Sequence, residues 1–142
     1  MSDTPTVPFR ILPALTELNT PFWQGGKDGE LRFYRCQDCG YYNHPATPIC
    51  PIDHSKNLKW EAVSGRATLF TYSVNHQPWM PGPELPYIVA IVAIPEQDGL
   101  RLTTNLIDVA PEDVAIGMDV EVTFEMHDDE VWLPLFKPAG AA

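Results

Sequence analysis

In CQDCGYYNHPATPICPIDHS, residues 36–55, three cysteines and an aspartate stand at spacings that suit a metal ion. Cys36 and Cys39 make a CxxC knuckle, and Gly40 follows it. Two thiolates at this spacing can grip one ion while N–H groups of the tight turn point at sulfur. A glycine next in line lets the chain take a positive φ angle. Ten residues then intervene before Cys50, enough for a strand and its return. Cys50 opens a second knuckle, CPID, in which Asp53 holds the place of a fourth cysteine. A carboxylate is a permissible zinc ligand, with the same charge as a thiolate but harder and more readily hydrated. His54 is chemically the better donor, but C-x3-H asks for a knuckle one residue longer, and His54 occupies the place where glycine would complete the turn. His44 is a third candidate, although the strand leaving the first knuckle should carry it away. Tyr41 and Tyr42 would help seal the site from water.

The chemistry expected of such a cluster is structural: a small ribbon has little core, and bound metal supplies its folding energy. Catalytic zinc is disfavoured, because no base is placed around the cluster and three thiolates quench Lewis acidity. The plainer alternative is a decayed second knuckle whose three thiols are packing residues. Elsewhere the chain lacks GxSxG, a glycine-rich phosphate loop and HExxH. The cysteines are claimed by the ribbon, which leaves no spare thiol for acyl transfer. His76 reads as a strand-end residue rather than a base.

The elements that must position these residues are strands. The 142 residues include 15 prolines, roughly twice the usual share, which argues for short strands and rigid connections. Residues 1–12 read as an extended arm. A short helix is expected at about 20–27, with Thr20 as cap, Pro21 in its first turn and Gly25-Gly26 as the stop. Phe22 and Trp23 would dock it on the body. LRFYRC, YYNH and LKWEAV then alternate with the two knuckles, the plan of a zinc ribbon.

After Ser64-Gly65 come five strand-like segments, at 66–74, 87–94, 101–107, 119–126 and 131–136. The first should place Phe70, Tyr72 and Val74 on one face, with Thr71 and Ser73 on the other. YIVAIVAI is continuously apolar and should be central or buried on both faces. In DVEVTFEM, Val120, Val122, Phe124 and Met126 should point in, and Glu121, Thr123 and Glu125 out. APEDVAIG supplies a helical turn before the fourth strand, and the acidic hairpin HDDE joins the last two. The expected fold is mainly β: a short helix and zinc ribbon, then a five-stranded OB-fold Greek-key barrel. The divisions are 1–30 for arm and helix, 31–63 for the ribbon, 64–138 for the barrel and 139–142 for a tail.

Charge narrows the partners. Residues 27–66 carry six basic groups against five acids, but from residue 67 onward two basic groups face twelve acids. Such a surface repels a phosphate backbone, which disfavours single-stranded nucleic-acid binding, the usual work of OB-folds. Lys56, Lys59 and Arg66 are candidates for meeting the phosphates of a CoA moiety, with ordinary solvated charge as the alternative. Three cysteines do not make a secreted disulfide framework, and no signal peptide or long apolar run is evident, so a cytoplasmic, non-membrane protein is expected. PWMPGPELP, with four prolines in nine residues, is a stiff loop. Its Trp79 and Met80 would suit an interface or channel rim if exposed, or Trp79 folds back on the barrel.

PFWQGGKDGELRFYRCQDCG, PATPICP, WEAVSGRATLFTYSV, PYIVAIVAI, TNLID and PEDVAIGMDVEVTF occur in this order. Together they closely resemble the family catalogued as domain of unknown function thirty-five, from about Pro21 to Pro138. The resemblance implies a rubredoxin-like zinc ribbon fused to an acyl-CoA-associated OB-fold. It also implies a non-catalytic accessory subunit beside a thiolase-superfamily enzyme. Such partners include thiolases, acyltransferases that modify aromatic rings, and lipid-transfer-protein-like aldolases of steroid side-chain degradation. Some members pair instead with MaoC-type hydratases. In this family the chemistry sits in the partner, while the ribbon and barrel stabilise the complex and help shape the acyl-CoA passage. Its metal ligands are four cysteines: Cys36, Cys39 and Cys50 fall on three of those positions and Asp53 on the fourth.

Overall fold

A computed structural model describes residues 10–79 and 84–139 of the chain. Its first regular element is helix α1 (Thr20–Gln24), which buries Phe22 and continues as a 3-10 turn over Gly25–Asp28. The α-helix ends at Gly25, as the sequence suggested, and the glycine pair also lets the 3-10 turn that follows press against the barrel. A Cβ at Gly26 would stand 2.5 Å from Trp132 Cβ and 2.6 Å from the Phe124 ring, well inside van der Waals contact. Gly29, at φ +72°, ends that turn. Thr20 lies inside the helix rather than capping it, and Asn19 takes the cap position without a side-chain bond to the helix N–H groups.

Three antiparallel strands follow, β1 (Leu31–Cys36), β2 (Tyr42–Asn43) and β3 (Leu58–Val63), in the spatial order β2-β1-β3. β1 and β3 pair along their full length, from Leu31 opposite Val63 to Cys36 opposite Leu58. Both knuckles consequently hang from one end of this sheet. Ser64 and Gly65 turn the chain into a second sheet, and Gly65 takes φ +82°.

Strands β4 (Arg66–Asn75), β5 (Tyr87–Ala93), β6 (Arg101–Leu106), β7 (Asp119–His127) and β8 (Val131–Pro138) close a barrel in the order β4-β5-β6-β8-β7. The contact of β6 with β8 is parallel, and the other strand pairs are antiparallel. This connectivity, with a 3-10 turn (Pro111–Asp113) between the third and fourth barrel strands, is that of an OB-fold. Asp128 and Asp129, both at positive φ, make the tight turn between β7 and β8.

Side-chain directions depart from the sequence expectation in three places. A bulge between Leu69 and Thr71 shifts the β4 register. It sends Phe70 outward under the Arg101 guanidinium, which lies 3.8 Å from the ring centre. Tyr72 and Val74 still pack on the core. β5 alternates, with Ile88, Ala90 and Val92 buried and Tyr87, Val89 and Ile91 half-buried, so only one of its faces is fully covered. Met126 is exposed rather than inward, because β7 runs past the end of the core.

One apolar core joins the two sheets. Phe22, Leu31, Phe33 and Tyr42 pack into the same cluster as Leu69, Ala90, Val92, Val120 and Phe136 of the barrel. Polar ties reinforce the junction. The Tyr42 N–H donates to Gln97 Oε1 at 2.7 Å, and Gln97 Nε2 donates to the Tyr42 carbonyl at 2.9 Å. A side-chain amide thus satisfies the backbone of the edge strand β2. Among the described residues no helix is long and apolar enough to cross a membrane.

Candidate functional site

The two knuckles are built as twins. In the first, the Cys36 N–H donates to the Tyr41 carbonyl and the Gly40 N–H to the Cys36 carbonyl, each at 2.9 Å. In the second, the Cys50 N–H donates to the Ser55 carbonyl and the His54 N–H to the Cys50 carbonyl, again at 2.9 Å. Gly40 takes φ +84° and His54 φ +61°. His54 therefore does the backbone work of the missing glycine, and its side chain is exposed. Backbone N–H groups reach sulfur in both knuckles, Cys39 N to Cys36 Sγ at 3.5 Å and Ile52 N to Cys50 Sγ at 3.4 Å.

These turns bring one ligand atom each of Cys36, Cys39, Cys50 and Asp53 within 4.8 Å of one another. Cys39 Sγ lies 3.6 Å from Cys50 Sγ, and Cys36 Sγ 3.5 Å from Asp53 Oδ1. A tetrahedral ion bound at about 2.3 Å to sulfur and about 2.0–2.2 Å to oxygen sets ligand–ligand edges of about 3.5–3.8 Å. The two opposite edges of this cluster match that size, so the donor set fits a tetrahedral divalent cation. Cys36 and Cys50 are buried, while Cys39 and Asp53 face solvent.

Electrostatics point the same way. The Ser55 N–H, donating to Asp53 Oδ1 at 3.0 Å, holds the carboxyl below its ordinary value, helped by Cys50. Burial raises the Cys36 thiol, yet the N–H groups of Cys39 and Asp38 outweigh it and leave it lowered. At Cys39 the Tyr41 N–H favours the thiolate. Desolvation, the other two thiols and the Asp53 charge oppose it and push the thiol up to about 11. Four acidic groups at this distance cannot all ionise without a cation between them.

The surroundings of the cluster differ in detail from the sequence expectation. Tyr41 and Tyr34 pack against Cys36, Cys50 and Leu58, but Tyr42 belongs to the main core and does not seal the cluster. Arg35 braces the first knuckle by donating to the Gly40 carbonyl at 2.9 Å while its guanidinium covers the Tyr42 ring. Asp38 reaches across to Ser55 and Asn57 of the second knuckle. His44 lies away from the cluster, between the rings of Phe22 and Phe33.

Lys56, Lys59 and Arg66 are all exposed, on the ribbon and at the start of β4. Trp79 is 75% exposed, its indole N–H donating to Asn75 Oδ1, and Met80 lies outside the described residues. One cluster was missed in the sequence. Arg10 Nε donates to Glu125 Oε1 at 2.9 Å, Arg10 Nη1 to Asn105 Oδ1 at 2.9 Å, and His127 Nε2 stands 2.8 Å from Glu125 Oε1. Burial would raise the Glu125 carboxyl, but hydrogen bonds from Arg10 and His127 outweigh it and hold it below its ordinary value. Only the spacing of Glu125 and His127 on one strand face hinted at such a group.

Comparison with known proteins agrees with this architecture. Residues 23–59 match the domain described as "ChsH2, rubredoxin-like zinc ribbon domain", and residues 60–125 match "ChsH2, C-terminal OB-fold domain". A "DUF35 domain-containing scaffold protein" of Methanothermobacter thermautotrophicus is 34% identical over 98 residues, covering 68% of this chain and 72% of that protein. The chain belongs to the DUF35 family. The solved structure titled "Ltp2-ChsH2(DUF35) aldolase" superposes with a TM-score of 0.82 at 36% identity, covering 91% of this chain and all of that one. A "Probable enoyl-CoA hydratase alpha subunit" of Thermomonospora curvata is 37% identical over 132 residues, 92% of this DUF35 chain and 40% of that protein. The chain spans well under half the length of the hydratase subunits it matches.

Proposed function

We propose that this DUF35 protein is a non-catalytic accessory subunit of an enzyme acting on CoA thioesters, with a thiolase-like or lipid-transfer-protein-like partner. The reaction of the complex is carbon–carbon bond formation or cleavage, thiolytic or retro-aldol. The observation that carries this reading is the superposition, over 91% of the chain, on a chain of the structure titled "Ltp2-ChsH2(DUF35) aldolase". The chain's own chemistry supports it. Its three thiols converge on one cluster, and His127 is tied to Glu125. The cluster is a structural zinc site with Cys36, Cys39, Cys50 and Asp53 as ligands. A d10 ion without geometric preference suits three thiolates and one carboxylate at tetrahedral spacing.

Affinity purification of the tagged chain from its native host tests the reading. A thiolase-like or lipid-transfer-protein-like enzyme should co-purify in fixed stoichiometry, and the isolated chain should show no thioester turnover. Recovery of the chain alone, or turnover by the chain alone, would overturn it. A second reading, a hydratase subunit, draws on the hydratase alpha subunit that matches 92% of the chain. An enoyl-CoA hydratase as the co-purifying partner would decide for it.

A further inference from the structure

Between the N-terminal segment, the His44–Ala46 loop and one face of the barrel lies a cavity of about 1170 Å³. That exceeds the roughly 300–1,000 Å³ of most small-molecule sites. Leu102, Leu106 and Leu135 of the barrel form one wall, and Trp23 and Trp60 form another. The metal cluster contributes nothing to it, and neither do Lys56, Lys59 and Arg66.

The charges on its wall decide what it can hold. Among the described lining residues Arg10 is the one Lys or Arg, and Glu84, Asp108 and Glu125 are the carboxylates. The Arg10 guanidinium is already spent on Glu125 and Asn105. A wall with one neutralised cation and two further acids disfavours phosphate or carboxylate ligands. Among the uncharged polar groups on the wall, His44 is the one set between aromatic rings. His44 lines the cavity with its ring 5.1 Å from Phe22 and 5.2 Å from Phe33, and among the described residues neither ring nitrogen has a hydrogen-bond partner. No fully buried side-chain nitrogen or oxygen among the described residues lacks a partner, so these nitrogens keep accessible surface on a residue that lines the cavity. Burial keeps the ring neutral at pH 7, where it offers one donor and one acceptor.

We propose that this cavity binds an uncharged, predominantly apolar small molecule whose hydroxyl or carbonyl oxygen hydrogen-bonds to His44. The Arg10–Glu125–Asn105 cluster fastens the N-terminal segment beside the ligand. Such a group can arrive as a free alcohol or ketone, or as the acyl end of a CoA thioester. The thioester source rests on the accessory-subunit reading; the preference for a neutral apolar group does not.

The test uses the full chain, with N-phenyl-1-naphthylamine as a neutral fluorescent probe and 1-decanol, decanoyl-CoA and free CoA as competitors. Saturable one-site binding is expected, displaced by decanol and not by free CoA. Displacement by decanoyl-CoA as well would identify the thioester source, and displacement by decanol alone the free molecule; either fulfils the proposal. Ala46→Trp, on the half-buried loop, puts an indole into the cavity and should weaken probe binding severalfold at unchanged melting temperature. Thr103→Trp, at an exposed strand position, serves if that loop misfolds. His44→Phe keeps the aromatic stack and should weaken decanol competition about tenfold or less while leaving the probe bound, as loss of one hydrogen bond predicts. Absence of saturable binding, indifference to both tryptophans, or displacement by CoA as strong as by decanol would overturn the assignment. Each can occur with the partner enzyme still co-purifying, so this failure is separable from failure of the accessory role.

Discussion

At the scale of single residues, Asp53 and His54 divide the work that cysteine and glycine would do together. Asp53 places a carboxylate oxygen 3.5 Å from Cys36 Sγ, while His54 supplies the positive φ that closes the turn. The two substitutions make opposite predictions. Asp53→Cys should convert three sulfurs to four. In the cobalt-substituted protein, the thiolate-to-metal charge-transfer band should rise by roughly a third, and metal should leave more slowly to a chelator. An unchanged band would remove Asp53 from the coordination sphere. His54→Gly should relieve a left-handed conformation that costs a side-chain-bearing residue about 1 kcal/mol. Zinc content should stay the same and the melting temperature should rise slightly. Loss of zinc in that variant would make His54 a ligand instead.

At the scale of elements, the strands were legible because their residues alternate, and the knuckles because their spacing is metal spacing. What was hidden depends on contacts between distant elements. The bulge that turns Phe70 outward is a register adjustment of β4 against β5, and LFTYS reads the same with or without it. Tyr42 looks like a lid on the cluster until β2 is placed, whereupon it joins the main core. The Arg10–Glu125 pair links residues 115 apart, beyond any local pattern. The glycines of the first turn belong here too. They read as a helix stop, and Gly26 is also small because Trp132 and Phe124 occupy the space a side chain would need. Gly26→Ala should therefore cost about 1–3 kcal/mol as overpacking rather than stabilise a helical turn. Chemical denaturation would show it as a lower midpoint at unchanged slope, and a stabilised protein would contradict the packing described.

For the whole molecule, the shared core and the N-terminal fastening set how its parts respond to acid and to metal removal. The Glu125 carboxyl is lowered in the folded state, so the stability it contributes is complete above its unfolded pKa, about 4.3. That contribution is lost as pH falls through the depressed folded value. Arg10→Ala should flatten this acid limb of the melting-temperature profile and leave the plateau near pH 7 lowered. A variant profile parallel to the parent at every pH would mean that the pair is not coupled to folding.

Metal removal acts at the other end. Composition suggested that a ribbon with so little core should depend wholly on its ion, but Leu31, Phe33 and Tyr42 are buried in the same cluster as the barrel. Only Cys36, Cys50 and Leu58 form the separate small cluster around the ligands. An ion bound at the cluster would thus stabilise chiefly the knuckles, while β1 stays anchored by Phe33 and β2 by the Gln97 clasp on Tyr42. Chelation should expose a local unit and not the fold. In hydrogen exchange, the amides of Gly40, Cys50 and His54, whose bonds close the two knuckles, should lose protection by orders of magnitude. Those of Ala90 and Val92, paired inside the barrel with Thr104 and Leu102, should exchange as before. Simultaneous loss of protection at both sets would show a single cooperative unit governed by the metal, and would place the ribbon's stability in the ion after all.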